Sequence, residues 1–112
     1  SRLKDSNMRT IQQQTIDALA TIGYNSARVI DGIGTPSFIL EATNADDRAV
    51  AISLIDEQTH RKEYFEKSIS RAVDSGYRTI IFAAHTTKVM NLFDAYDFHE
   101  NYCELSFNWV IL

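Results

Sequence analysis

Apolar residues recur along the chain with two different periods, and the places where the period changes divide it into helices and strands. Met8, Ile11, Thr15, Ala18, Leu19 and Ile22 fall at helical spacing, with Gln12, Gln13, Gln14 and Asp17 mostly on the other side. The spacing predicts an amphipathic helix over residues 8–22 that Gly23 ends. Asn25 to Asp31 carries Ala27, Val29 and Ile30 and reads as a short strand, followed by the breaker-rich loop Gly32-Ile33-Gly34-Thr35-Pro36. Two further strands are expected at Ser37 to Thr43 and Arg48 to Asp56, joined by the turn formers Asn44-Ala45-Asp46-Asp47.

Side chains alternate along a strand, so Ala49, Ala51, Ser53 and Ile55 share one face of the third strand and Val50, Ile52, Leu54 and Asp56 the other. Both faces are largely apolar, which predicts a central strand in a sheet covered by helices on both sides. The period then returns to helical: Tyr64, Phe65, Ile69, Ala72 and Val73 form a stripe opened by Thr59 as a cap and closed by Asp74-Ser75-Gly76. Arg78 to Ala84 is a buried strand, so Arg48 to Ala84 reads as a βαβ unit with parallel strands. Thr86 is expected to cap a helix through Val89, Met90, Leu92, Phe93 and Tyr96. After a turn over Asp97 to Asn101, alternation from Tyr102 to Leu112 predicts a half-buried last strand that lies at a sheet edge and can pair with a partner. The expected order is α-β-β-β-α-β-α-β, an α/β fold with a mixed sheet flanked by helices.

At 112 residues with 45% hydrophobic content the chain makes one domain, expected over residues 8–112. Residues 1–7 precede the patterned region and are expected to be disordered or a remnant of expression. A formal net charge of −4 and a pI near 5.2 argue against coating nucleic acid by bulk electrostatics, so any basic surface is local. The single cysteine, Cys103, excludes an internal disulfide and reads as a core thiol in a reducing, cytoplasmic setting. No apolar run approaches the roughly 18 residues that span a bilayer, so no membrane partner is expected.

The order helix, three strands, helix, strand, with Gly23-Tyr24 after the first helix, resembles the core of the PD-(D/E)xK nuclease superfamily over roughly residues 8–84. The stretch GTPSFILEATNADDRAVAISLID, residues 34–56, is similar to that family's Gly-x-Pro-Asp before an apolar strand, a turn, then Ala-Ile-Glu-apolar-Lys. The resemblance implies a three-layer, restriction endonuclease-like fold. It also implies a chemistry in which two strand carboxylates hold a divalent metal and a lysine positions water. Here Ser37 stands in place of the aspartate, Ser53 in place of the second acid and Ile55 in place of the lysine. Hydroxyls are weak partners for Mg²⁺, and isoleucine neither orients water nor supplies charge. The resemblance therefore implies an inactive nuclease-fold domain that works as a protein-interaction or nucleic-acid-binding module in DNA or RNA metabolism, with no cofactor. Its partner is expected to be another protein or another domain of a larger chain.

The competing expectation is a nuclease with a relocated Mg²⁺ site built from Asp31, Glu41, Asp56 and Lys62. Glu41 is the telling member, because an acid among apolar strand residues is costly to bury unless paired, and an ion pair with Arg28 or Arg48 competes with a metal. His60, His85 and His99 are separated by 25 and 14 residues and match no compact metal spacing. Arg61, Lys62, Lys67 and Arg71 form a candidate phosphate-tracking face, but Glu63 lies four before Lys67 and Lys62 four before Glu66, so helix-internal pairs compete with phosphate. The aromatic residues Tyr64, Phe65, Tyr77, Phe82, Phe93, Phe107 and Trp109 lie on apolar stripes and are expected in the core.

Overall fold

A computed structural model describes the backbone of residues 2–31, 38–54 and 62–112, and the side chains of 11–30, 38–53 and 62–112. The elements are α1 (Arg2–Thr21), β1 (Ser26–Asp31), β2 (Ile39–Thr43), β3 (Arg48–Leu54), α2 (Lys62–Asp74), β4 (Thr79–Ala84), α3 (Lys88–Ala95), α4 (Phe98–Asn101) and β5 (Ser106–Ile111). They build one five-stranded sheet in the order β1-β2-β3-β4-β5. The first three strands form an antiparallel meander, and β3-β4 and β4-β5 pair in parallel. The mixed sheet and the sequence of elements are those expected from the hydrophobic pattern, with β3 central and the parallel β3-α2-β4 unit beside it.

The alternation of side chains divides the core into two clusters, one on each face of the sheet. On one face Val50, Ile52, Ile80 and Phe82 meet Phe65, Ile69 and Ala72 of α2, Val89 and Phe93 of α3, and Phe98 of α4. On the other face Leu40, Ala42, Ala49, Ala51, Ile81 and Ala83 meet Leu19 of α1, with Phe38 and Tyr24 at the margins. The residues of β4 are buried on both sides. Phe65 anchors the first cluster through edge contacts with Phe82 and Phe93, ring centroids 5.4 and 5.2 Å away. Of the aromatics expected in the core, Phe65, Tyr77, Phe82 and Phe93 are buried, and Tyr64, Phe107 and Trp109 are half-buried against the same cluster.

Both long helices end in the same way. The Tyr24 N–H donates to the Leu19 carbonyl and the Gly23 N–H to Ala20, while the Tyr77 N–H donates to Ala72 and the Gly76 N–H to Val73. Gly23 and Gly76 adopt φ of +98° and +86°, the left-handed conformation that this terminating motif requires and that an L side chain resists. In each case the tyrosine that follows turns back into the core, Tyr24 on the α1 face and Tyr77 on the α2 face.

Several boundaries and burials differ from the pattern-based expectation. The first helix begins at Arg2 rather than at Met8, in a stretch with no apolar stripe but with the good helix formers Arg2, Leu3 and Lys4. Val73, placed on the apolar stripe of α2, is 39% exposed, because the burying face of that helix is centred on Phe65, Ile69 and Ala72. The N-cap position of α3 is Thr87 rather than Thr86, and its hydroxyl makes no capping bond. The segment expected to be a plain turn holds a single helical turn, α4, entered through Asp97 in the left-handed region at φ 59°. The last strand begins at Ser106, not Tyr102, because Tyr102 and Leu105 spend their N–H groups on the turn carbonyls of Phe98 and Tyr102. Cys103 lies in that turn and is exposed, so it is not a core thiol; its Sγ faces Glu104 Oε2 at 3.8 Å. The expected Gly32–Pro36 loop, the Thr59 cap, Ser37, Ile55, Asp56, Glu57, His60 and Arg61 lie outside the described residues.

Candidate functional site

Glu41 projects from the middle of β2 onto the α2 face of the sheet, the same face as Ile39. Register places Arg28 of β1 directly opposite it, and Arg48, the first residue of β3, lies diagonally across. Arg28 holds Glu41 Oε1 through Nη2 at 3.1 Å and Nε at 3.2 Å. Arg48 Nη1 stands 3.8 Å from Oε2, and its guanidinium lies 4.8 Å from the centre of the Tyr77 ring. The buried Tyr77 hydroxyl donates to Glu41 Oε2 at 2.5 Å.

These contacts satisfy the carboxylate from three directions, although the Glu41 side chain retains only 13% exposure. The Tyr77 hydrogen bond, followed by the two arginines, holds the Glu41 carboxyl below its usual range in spite of its partial burial. Burial, reinforced by the neighbouring carboxylate, pushes the Tyr77 phenol up. The arrangement is chemically an ion-pair array: the acid accepts from Tyr77 and Arg28, sits beside the Arg48 charge, and is poorly placed to exchange them for a cation.

The adjoining hairpin tip is organised by Asn44, whose Oδ1 accepts from the N–H groups of Asp46 and Asp47 at 2.9 and 2.6 Å. Asp47 in turn accepts from the Arg48 N–H at 2.8 Å and from the Thr79 hydroxyl at 2.5 Å, which ties the tip to the start of β4. The nearby Asp47 charge adds to burial in raising the Tyr24 phenol. Spacing alone shows neither link, because each joins residues distant in sequence.

Of the residues proposed for a relocated site, Glu41 and Lys62 are described in full, and they lie far apart. Glu41 pairs with Val50 near the start of β3, whereas Lys62 opens α2, the helix that follows the end of β3. Tyr77, which reaches Glu41, lies beyond the other end of that 13-residue helix, a rise of about 18 Å from Lys62. Lys62 instead pairs with Glu66 of its own helix at 3.9 Å. Asp31 stands opposite Ile39 after a register irregularity, its side chain outside the described set, as is all of Asp56. Among the described residues no group of three or more His, Cys, Asp or Glu side chains is placed to hold a metal ion.

Ser53 is buried on the α1 face beside Ala83, and its Oγ has no hydrogen-bond partner. Across the sheet, a cavity of about 90 Å³ under α2 has a floor of Ile39, Val50 and Ile52 and is bordered by Arg71 and Tyr77; among the described residues no acid lines it.

The exposed face of α2 carries Lys62, Lys67 and Arg71 beside Glu63, Glu66 and Asp74. Three cations among three carboxylates make this a mixed surface rather than a basic track. Of the histidines, His99 packs its ring edge-on against Phe93 and Phe107, with centroids 6.0 and 5.1 Å away. None of the described helices is long and apolar enough to cross a membrane. In comparison with known proteins, the chain matches no family model, no curated protein and no solved structure.

Proposed function

We propose that this chain is a non-hydrolytic binding or assembly domain, built on a restriction endonuclease-like variant of the α/β sandwich and working alongside nucleic-acid enzymes. The observation that carries this reading is the state of Glu41. In the sheet the described acid best placed to anchor a cation is bound by Arg28, Arg48 and Tyr77. A metal site there would have to break an ion-pair array and leave two guanidiniums beside the incoming cation. The serine at position 53, where the resemblance calls for an acid, is buried with an unpartnered hydroxyl. The alternating charges of α2 favour a protein surface over a phosphate backbone as partner.

The test is a cleavage assay on plasmid and on single- and double-stranded DNA and RNA oligonucleotides, with Mg²⁺ and with Mn²⁺. No product above a metal-free control is expected. Metal-dependent cleavage that disappears in Glu41→Ala would overturn the reading and restore a relocated active site. Binding to the same oligonucleotides at low salt is expected to be undetectable or unchanged by reversing Lys67 and Arg71.

A further inference from the structure

The two edges of the sheet are built differently. Along β1 the outer edge carries Arg28 and Asp31 and a register irregularity between Val29 and Asp31. Charges and bulges of this kind discourage strand addition. Along β5 none of these devices is present: Leu105 to Leu112 reads LSFNWVIL, with no charge, proline or glycine. Its pairing with β4 fixes which groups face outward. The Ser106 N–H donates to the Arg78 carbonyl at 2.9 Å and the Leu112 N–H to Ala84 at 2.8 Å, so the even-numbered residues turn their backbone groups towards β4. Strand geometry then directs the N–H and C=O of Phe107, Trp109 and Ile111 away from the sheet. Among the described residues no strand lies beyond them.

The side chains of this edge are arranged in two rows. Phe107 and Trp109 are half-buried on the aromatic face, Ile111 beside them is 42% exposed, and Ser106 and Asn108 are exposed on the α1 face. We propose that the outer edge of β5 pairs antiparallel with the same edge of a second copy of this chain, joining two sheets into one across a two-fold axis. The proposal rests on the assembly reading above and names its partner. Electrostatics suit the copy: an isologous antiparallel contact sets residue i against residue j and j against i, so a charge near the two-fold axis would meet its own like, and this neutral strand carries none. A strand of opposite charge would find nothing to pair with here. Antiparallel pairing sets the apolar row against the partner's apolar row and the Ser106–Asn108 row against its polar counterpart. A six-residue edge covers less than the roughly 800 Å² per partner of a stable complex, so the expected affinity is on the order of micromolar.

Sedimentation equilibrium of the 112-residue chain between about 5 and 500 μM tests this, with the range set by the micromolar expectation. A monomer–dimer equilibrium is expected, unchanged or strengthened by salt because the remaining surface is net acidic. Asn108→Lys and Asn108→Asp should each weaken dimerisation at least tenfold by placing like charges near the axis, and an equimolar mixture of the two should recover it. Far-UV circular dichroism checks that both variants fold; if neither does, Ile111→Pro, which removes an outward N–H that β4 does not use, replaces them. A chain that stays monomeric at 500 μM, or dimers indifferent to these substitutions, overturns the pairing. Such a failure leaves the assembly reading intact so long as cleavage is absent, whereas metal-dependent cleavage would sink that reading whatever the oligomeric state.

Discussion

The Tyr77 hydroxyl donates to Glu41 Oε2 at 2.5 Å, linking the residue that follows α2 to the middle of β2, thirty-six positions earlier. Because Tyr77 is 8% exposed whereas Arg28 and Arg48 are more than half exposed, the phenol is the partner least screened by solvent. Replacing Tyr77 with phenylalanine should lower unfolding free energy by about 2 kcal/mol, the scale of a hydrogen bond to a charged group. Arg28→Ala should cost less than about 1 kcal/mol. Urea unfolding of both variants measures the difference; equal losses would show that the phenol is not the dominant partner of the carboxylate.

Stability should also depend on pH through the same residue. The folded Glu41 carboxyl titrates below its ordinary range, so the folded state favours its ionised form. The stabilisation is complete above the unfolded glutamate pKa of about 4.3 and is lost as pH falls through that value to the lower folded one. In Glu41→Gln this acid-side contribution should be missing, so the difference in Tm between the native chain and the variant should shrink from pH 6 to pH 3. A constant difference would assign the acid sensitivity to other carboxylates.

Ser53 gives a prediction of opposite sign. Its hydroxyl is buried and unpartnered, a condition that costs about 1–3 kcal/mol relative to an apolar group of similar shape. Ser53→Ala should therefore raise stability by about 1 kcal/mol, whereas Ser53→Asp should lower it by more than about 3 kcal/mol by burying a charge. Chemical denaturation of both variants separates the cases. A tolerated aspartate would mean that this position is open to water or to a cation.

Asp97 holds a left-handed conformation at φ 59° at the start of α4. Glycine at this position should raise stability by about 0.5 kcal/mol, the left-handed relief reduced by the extra entropy that glycine loses. Hydrogen bonding with Asp97, and then its charge, raises the Glu100 carboxyl. An NMR titration of Asp97→Gly should accordingly show Glu100 returning downward to its ordinary range.

The elements were legible where the period was long and uninterrupted. Phe65, Ile69 and Ala72 mark one face of α2, and the doubly apolar β3 and β4 lie at the centre of the sheet as their pattern demands. The beginning of the last strand is hidden from the pattern because Cys103 and Leu105 continue the alternation of Phe107 and Trp109 across a turn, and alternation does not reveal where backbone N–H groups are spent. Glu41 was recognisable as an acid that needs a partner, and its possible arginines were visible nearby in sequence. Tyr77 was not, since its reach to β2 depends on the helix terminator at Gly76 and on the sheet register together. The exposure of Cys103 was hidden for the same reason: a one-turn helix displaces it from the strand whose pattern it shares.

The α1 face of the sheet is paved largely with alanine and, among the described residues, covered by one helix, which contacts β5 as well as β1. Val110 and Leu112 therefore pack in the same cluster as Leu19 of that helix, although they are separated from it by about ninety residues of chain. Opening of α1 must uncover the inner side of β5, while the aromatic layer around Phe65 stays closed. In hydrogen exchange the amides of α1 and β5 should thus lose protection together, ahead of β3, β4 and α2, so that the two ends of the chain form one cooperative unit of lower stability.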